Sequence, residues 1–243
     1  MEYRTDHPIG NLLGWWQLAG VDLPVSDHGH GWLTPAAEPA KSIASAAAIN
    51  PVSPQSGGEM PSSLPKFLSW LKTSPDVPEA AWTNNRILPD IAQPRDVMVI
   101  SDMPDAEDMQ AGILFSSGVG RLLDAMLGAI GLGRDAIYLC SLASARPPGG
   151  MFDPSTAERL AHIMRRHISL AAPKTLLLLG DKTSRALLTA DTLTGTGKLP
   201  LLNHDRGSVS TIATFHPRFL MRHAAAKREC WNDLQMLLKE IAS

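Results

Sequence analysis

The sequence predicts a three-layer α/β/α fold in which helices cover both faces of a four-stranded parallel sheet. Four short apolar runs indicate buried strands, and they are Val97–Ile100, Ala136–Leu142, Thr175–Leu179 and Val209–Phe215. Helical patterns separate these runs along the chain. Strands that are apolar throughout and alternate with helices are typical of a mostly parallel sheet covered on both faces.

The composition of the 243 residues limits the class of protein. Apolar residues make up 44% and charged residues 19%, which predicts a soluble globular protein. The formal net charge is −2, so a nucleic-acid surface would have to be a local patch. The N-terminus lacks the pattern of a signal peptide, and no apolar run approaches the ~20 residues of a membrane helix. We therefore expect a cytoplasmic protein without membrane association.

Three segments divide the chain. Residues 1–33 contain a short helical pattern, Ile9–Gly20, whose two adjacent tryptophans we expect to cover the edge of the main domain. Residues 34–63 are rich in Ala, Pro, Ser and Gly without a period, which is typical of a linker or loose loop. Residues 64–243 hold the main domain, which starts with helical spacing over Leu64–Leu71.

Two further helices of the main domain have recognisable signals. The pattern Ser155–Glu158 is a capping box, which predicts a helix with Ser155 as its N-cap. The last helix is predicted from about Ala224 to Ile241. Its inward face is predicted from apolar residues at helical spacing, namely Trp231, Leu234, Leu237, Leu238 and Ile241.

Polar loops follow the predicted strands, and ligands of open α/β sheets bind beyond the carboxyl ends of the strands. The loop after the first strand carries Asp102 and Asp105, and the loop after the last carries His216. A residue directly before proline is restricted, so His216 is expected to be held rigidly ahead of Pro217. Apolar residues and two arginines follow within 218–222, and this combination suits a surface that wedges into stacked bases and grips phosphates.

From Asp96 to the C-terminus, the order of motifs resembles the uracil-DNA glycosylase superfamily, and above all its family 4, the iron–sulfur type. The family's Gly-Glu-Ala-Pro-Gly loop is similar to Ser101–Asp105. Its Pro-Phe-Val-Gly is similar to Leu114–Ser117, and the Leu-Leu-Asp that starts its next helix to Leu122–Asp124.

The later motifs of the family follow in the same order. Its Cys-Arg-Pro-Pro-Gly resembles Ala145–Gly149, and its Pro-Lys-x-x-x-x-Leu-Gly resembles Pro173–Gly180. Its Tyr-His-Pro is similar to Phe215–Pro217, and its terminal Trp-x-Asp-Leu to Trp231–Leu234. Each motif alone is weak, but together they make a specific signal.

The resemblance implies a DNA glycosylase that hydrolyses the N-glycosidic bond of uracil, or of another deaminated base, during base excision repair. Such an enzyme takes the base out of the stack of single- or double-stranded DNA. Asp102 is then expected to orient a water or to balance the sugar cation. His216 donates a hydrogen bond to the leaving base, and Phe115 stacks on that base. We expect a monomer.

The same resemblance assigns contacts to the base and to the DNA. Ser141 and Met103 are expected to bind the base. The residues that fill the gap in the duplex or hold phosphates follow His216, and they are Arg218, Phe219, Leu220, Met221 and Arg222.

Two departures from family 4 change the expectations. The family's third and fourth cluster cysteines correspond to Ala145 and His162, and no Cys-x-x-Cys precedes residue 96, so we predict no metal cluster and no other cofactor. Ser141 stands where the family has an Asn that reads the uracil edge. One hydroxyl replaces an amide with both a donor and an acceptor, which predicts weaker discrimination among bases.

Plainer interpretations stay open at this point. Asp102 also fits a loop cap, His216 a structural histidine bonded to a carbonyl, and Phe115 a core residue. The run 219–221 also fits the first turn of a core helix. Two rival functions remain: a glycosylase-like module that binds DNA without cutting it, and an α/β fold with a nucleotide or other small ligand in the same crevice.

Overall fold

A computed structural model of the protein describes residues 60–89, 93–188 and 199–242, all of them within one compact unit, Ser53–Ser243. Five strands form a sheet in these residues, and they are β1 (Val97–Ser101), β2 (Ile137–Ser141), β3 (Thr175–Leu179), β4 (Leu201–His204) and β5 (Gly207–Thr214). Their order is β2-β1-β3-β5-β4. The neighbouring pairs among β2, β1, β3 and β5 are parallel, and β4 pairs with β5 antiparallel. The α/β fold class is therefore confirmed.

The prediction of four strands was wrong by one edge strand. In β4, Leu202 is buried between exposed Leu201 and Asn203, so the strand shows alternation rather than a continuous apolar run. It turns back into β5 through Asp205 and Arg206, and this hairpin has no continuous apolar run in its first strand. The four predicted strands are all present, with bounds shifted by at most two residues.

Helices cover both faces of the sheet. They are α1 (Leu64–Thr73), α2 (Ala106–Ala111), α3 (Gly118–Gly128), α4 (Pro154–Ala171), α5 (Asp181–Leu187), α6 (Pro217–Leu220) and α7 (Lys227–Ile241). The core side chains of α1 and α4 pack with Met98 and Ile100 on one face. Those of α3 and α7 pack with Val99 and Leu177 on the other. The alternation along β1 thus divides the core into an α1/α4 side and an α3/α7 side.

Two details of the predicted helices need correction. Asp153, not Ser155, caps α4: its Oδ1 accepts from the backbone N–H of Thr156 at 2.9 Å. Proline fits the first turn of a helix, so Pro154 lies inside α4 and moves the cap to the residue before it. The carboxylate also accepts from the hydroxyl groups of Ser155 and Thr156, and these hydrogen bonds hold the pKa of Asp153 well below its ordinary value.

The inward face of α7 is narrower than predicted. Cys230, Leu234 and Leu237 are buried, whereas Trp231 and Leu238 are exposed. Both exposed residues lie one position after a buried one, so they flank the buried stripe rather than forming it. Ile241 is also exposed, in the last turn of the helix.

The expectations for residues 1–33 lie outside the described residues, and so do those for residues 34–63 apart from 60–63. The helix predicted over Leu64–Leu71 is confirmed as α1. In the described part of the chain, no helix has the length and apolar character needed to span a membrane.

Candidate active site

The carboxyl edge of the sheet brings the loops after β1 and β5 together, although β3 lies between these strands. Gly180, directly after β3, has a φ of +89°, which favours glycine. A Cβ at Gly180 would lie 3.0 Å from the Cβ of His216. Because Gly180 has no side chain, His216 passes over the end of β3 and reaches Asp102.

Asp102 and His216 are both buried and are joined by a third residue. Nε2 of His216 lies 3.7 Å from Oδ1 of Asp102, which is too long for a hydrogen bond. Oγ of Ser101 lies 3.0 Å from the same Nε2 and 3.3 Å from the same Oδ1. The hydroxyl of Ser101 therefore bridges the imidazole and the carboxylate.

The hydrogen bonds around His216 define its tautomer. Nδ1 accepts the backbone N–H of Arg218 at 3.0 Å, so the proton of the neutral ring resides on Nε2. Nε2–H then donates to Ser101 Oγ, and Ser101 donates to Asp102. Burial, and secondarily the Arg218 guanidinium, lower the pKa of His216 from 6.5 to about 4. His216 is thus a neutral donor at physiological pH.

This tautomer excludes a Ser-His-Asp hydrolase arrangement for Ser101. In that arrangement, one imidazole nitrogen accepts the serine proton while the other donates to the carboxylate. Here Nε2 carries the proton and Nδ1 is occupied by a backbone amide, so His216 has no lone pair to accept a proton from Ser101.

Phe115 lies against His216 in a constrained backbone conformation. Its φ is +56°, which is uncommon for a residue other than glycine. Arg134 donates to the carbonyl oxygens of Leu114 at 3.1 Å and Phe115 at 2.8 Å. A Cβ at Gly120 in α3 would overlap the Phe115 carbonyl. Arg134 and Gly120 therefore hold the turn that aims the ring.

The acidic residues after Asp102 have structural partners. Oδ1 of Asp108 accepts from the backbone N–H and hydroxyl of Ser116 at 2.7 and 2.8 Å, and Oδ2 accepts from the N–H of Asp105 at 3.1 Å. Asp108 thus fastens the turn of Phe115 to the start of α2. In the described residues, no three His, Cys, Asp or Glu side chains are grouped to hold a metal ion.

Arg218 is paired with acidic residues rather than free. Its Nη2 lies 2.8 Å from Oδ1 of Asp105, its Nε donates to Oδ2 of Asp105 at 3.2 Å, and its Nη1 lies 3.8 Å from Oδ2 of Asp102. Arg146, from the loop after β2, also contacts Asp105 at 3.6 Å and the Pro104 carbonyl at 3.2 Å. A DNA phosphate would therefore compete with Asp105 for Arg218.

Ser141 and Met103 have different positions relative to these residues. Ser141 is buried and is the register partner of Ser101 on the neighbouring strand. Its hydroxyl donates to the Ala143 carbonyl at 2.7 Å, so only its lone pairs remain available. The Met103 side chain is buried in the core on the α1/α4 side.

The residues after His216 divide by exposure. Phe219 and Met221 are 41% and 57% exposed, and Arg222 is exposed as well. Leu220 is 2% exposed and packs in the core on the α3/α7 side, so its predicted entry into DNA does not fit this structure. Phe219 and Leu220 are neighbours in the short α6, where successive residues differ in direction by about 100°, so one is exposed and the other buried.

Sequence reasoning gave no role to Ser101, Arg134, Arg146, Gly120 or Gly180. The sequence did contain one signal for Ser101, because this residue directly follows the first predicted strand and directly precedes Asp102. The two arginines act across 19 or more residues of sequence, which local patterns do not reveal.

The cluster of family 4 does not fit this chain. The chain contains two cysteines, whereas such a cluster requires four thiolates. Cys140 and Cys230 lie in the core on opposite faces of the sheet. Ala145 is wholly buried and His162 is exposed, so neither position offers a thiolate.

A different contact holds the loop after β2. Glu79, in the short 3₁₀ turn Pro78–Ala81, is 2% exposed. Its Oε1 accepts from the backbone N–H of Ser144 at 2.8 Å and from the hydroxyl at 2.9 Å. Glu79 therefore ties the segment before β1 to the loop after β2, which carries Arg146.

Comparison with known proteins agrees with this architecture. Residues 89–235, which are 147 of the 243 residues, match the family model of the Uracil DNA glycosylase superfamily. The chain belongs to that superfamily.

Three curated relatives are each named Type-4 uracil-DNA glycosylase. The protein of Thermotoga maritima is 26% identical over 59% of this chain and 72% of its own length. That of Archaeoglobus fulgidus is 22% identical over 58% of this chain and 75% of its own length. That of Pyrobaculum aerophilum is 25% identical, with 58% of this chain and 75% of its own length covered.

Proposed function

We propose that this protein is a monomeric DNA glycosylase that hydrolyses the N-glycosidic bond of uracil, or of another deaminated base, in base excision repair. The observation that carries the proposal is the neutral His216, whose Nε2–H lies beside the buried carboxylate of Asp102 at the carboxyl edge of the sheet. Superfamily membership and the names of the relatives support it.

His216 stabilises the leaving group. When the bond between C1′ and the base nitrogen breaks, its electron pair stays on the base, which leaves as an anion. Nε2–H donates to the carbonyl oxygen on which this charge develops, and a preorganised donor at such a place is often the largest catalytic contribution. Nδ1 accepts from the Arg218 amide, so the ring is neutral with its proton on Nε2. The ring keeps this proton throughout, because its loss would leave a strongly basic imidazolate anion.

Asp102 acts on the sugar. The carboxylate balances the positive charge that develops at C1′ and orients a water whose oxygen forms the new bond to that carbon. Water supplies the hydroxyl group of the abasic sugar, and its proton is released. Burial of Asp102 strengthens these interactions because few solvent molecules screen them.

Ser141 selects the type of base edge. The Ser141 hydroxyl already donates its proton to the Ala143 carbonyl, so the hydroxyl oxygen accepts a hydrogen bond from the base. Deamination of cytosine to uracil and of adenine to hypoxanthine replaces an acceptor nitrogen on the pairing edge with an N–H, and xanthine keeps the N–H that guanine already has. We therefore expect the lactam edge of deaminated bases to be accepted as a class.

Exposed residues after His216 contact the DNA. Phe219 and Met221 provide apolar surface to fill the gap that the flipped base leaves, and Arg222 contacts phosphate. Arg218 reaches a phosphate only when its contacts with Asp105 open.

The test is formation of abasic sites in single- and double-stranded oligonucleotides that contain uracil, hypoxanthine or xanthine. We expect excision of deaminated bases and none of cytosine or adenine. His216→Ala removes the donor, and His216→Asn keeps a side-chain oxygen for the Arg218 amide while shortening the reach. Both should lower the single-turnover rate by at least about 100-fold. Unchanged cleavage in both variants would refute the role of His216.

One observation favours a second candidate, a module that binds DNA without cleaving it. The ring of Phe115 already stacks on His216, so a base enters between them only if one ring moves. Tight binding to uracil-containing DNA without any abasic product would identify this alternative.

A further inference from the structure

We propose that Ser101 is a positioning residue of this site, whose hydroxyl joins the imidazole of His216 to the short carboxylate of Asp102 and fixes the orientation of the donor. The role in catalysis rests on the proposed function. The contact itself does not, so it is testable without activity.

The distances show why a bridge is needed. Nε2 of His216 and Oδ1 of Asp102 are 3.7 Å apart, beyond hydrogen-bond range. Ser101 Oγ lies 3.0 Å from the nitrogen and 3.3 Å from the oxygen, and it is buried. The hydroxyl accepts a hydrogen bond from Nε2–H of His216 and donates its one proton to Oδ1 of Asp102.

Two adjacent departures from the family motif explain the same geometry. The motif resembled by Ser101–Asp105 begins with Gly and Glu, whereas this chain has Ser and Asp. The carboxylate is shorter by one methylene, and a hydroxyl is present that glycine lacks. The Ser101 hydroxyl therefore connects the shorter Asp102 side chain to the imidazole of His216, which the carboxylate does not contact directly.

The bridge leaves the imidazole held at both nitrogens. The Arg218 amide binds Nδ1 and Ser101 binds Nε2–H. When a base carbonyl takes over Nε2–H, the ring is already oriented, and little rotational freedom is lost in reaching the transition state.

Nitrogen-15 NMR of the histidine rings tests the contact on the full chain, with His216 assigned by the loss of its signals in His216→Asn. We expect a protonated Nε2, an unprotonated Nδ1 and slow exchange of Nε2–H with water. Ser101→Ala should accelerate this exchange by at least about tenfold, since the acceptor is removed. Ser184→Ala is the control, because that hydroxyl bonds the Gly180 carbonyl at the same sheet edge. Unchanged exchange in Ser101→Ala, or a proton on Nδ1, would overturn the proposal.

Single-turnover excision of uracil tests the consequence. Ser101→Ala should lower the rate about tenfold and leave DNA affinity within about twofold, because the hydroxyl orients the donor without touching DNA. Ser101→Gly and Asp102→Glu should each lower the rate, whereas the double variant restores the first two residues of the family motif and should recover to within about threefold of wild type.

The outcomes separate the two hypotheses. A double variant as slow as the product of the single effects would contradict the bridge, provided that thermal melts show folded proteins. If the wild-type protein excises no base at all, the proposed function fails, and the NMR measurement still decides whether Ser101 holds His216.

Discussion

The ring of Phe115 stacks on the imidazole of His216, with centroids 5.6 Å apart and 24° between the planes. Both rings are buried, and they come from loops separated by 100 residues of sequence. The stack therefore joins the core on the α3/α7 side to the imidazole of His216. A substitution of Phe115 is therefore expected to affect both the stability of the core and the surroundings of His216.

Replacing Phe115 should separate these two contributions. Phe115→Ala removes a buried ring, and we expect it to lower the free energy of unfolding by about 3–5 kcal/mol. Phe115→Leu keeps most of the volume, so it should cost less than about 1.5 kcal/mol while losing the stacking surface. Urea unfolding and single-turnover excision measure the two effects. If the Leu variant excises uracil at the wild-type rate, stacking on Phe115 is not required.

Gly120 gives a sharper test of the Phe115 turn. A Cβ there would overlap the Phe115 carbonyl, and the second contact is backbone as well, so Gly120→Ala must displace the turn. We expect a loss of roughly 2 kcal/mol or more of stability, as in other overpacked sites, together with loss of activity.

Gly128→Ala is the matched control in the same helix. A Cβ at Gly128 meets nothing within 4 Å, so this variant should be neutral or more stable by up to about 1 kcal/mol. Equal effects of the two alanines would contradict the packing described for Gly120.

Glu79 should matter for stability through its contacts with Ser144. Glu79→Ala leaves the buried N–H and hydroxyl of Ser144 without this acceptor, which costs about 2–4 kcal/mol. Glu79→Gln keeps an acceptor oxygen and should lose less than half as much. The control is Glu158→Ala on the exposed side of α4, with a change of at most about 0.5 kcal/mol. Chemical denaturation measures all three, and an Ala variant as stable as wild type would contradict the contact.

Two buried histidines predict loss of stability in mild acid. Burial lowers the pKa of His167 and of His216 from 6.5 to about 4. Between these values the unfolded chain binds more protons than the folded one, so the free energy of unfolding decreases as pH falls from 6.5 toward 4. Each histidine contributes up to about 3 kcal/mol of this loss.

Replacement of one histidine checks the assignment. His167 accepts from or donates to the Tyr138 hydroxyl at 2.8 Å, and Gln preserves a polar partner there without titrating in this range. His167→Gln should remove about half of the pH dependence between 6.5 and 4. A variant with the full wild-type dependence would show that His167 does not titrate as described.

Much of the fold followed from the sequence because its signals are local. Four strands are continuous apolar runs, and α1 and α3 have clear helical spacing. The edge strand β4 was overlooked because it alternates, and the N-cap of α4 was misplaced because Pro154 competes with the capping-box pattern. A local sequence pattern therefore does not locate a strand that is partly exposed, or a helix cap next to a proline.

The candidate site was predictable only in part for the same reason. Strand-end position and motif order indicated Asp102, His216 and Phe115. The bridge by Ser101 and the pairing of Arg218 with Asp105 depend on side chains meeting across loops, which no spacing in the sequence specifies. The burial of Leu220 was not predicted, because exposure within a four-residue helix is set by the core beneath it.

The most direct test of the central claim is the single-turnover rate of uracil excision between pH 5 and 8, for the wild-type protein and His216→Asn. With a neutral His216 whose pKa is about 4, the wild-type rate should show no inflection from this residue near pH 6.5, and the variant should be at least about 100-fold slower throughout. Absence of abasic product, an equally active variant, or an inflection near 6.5 that disappears in His216→Asn would contradict it.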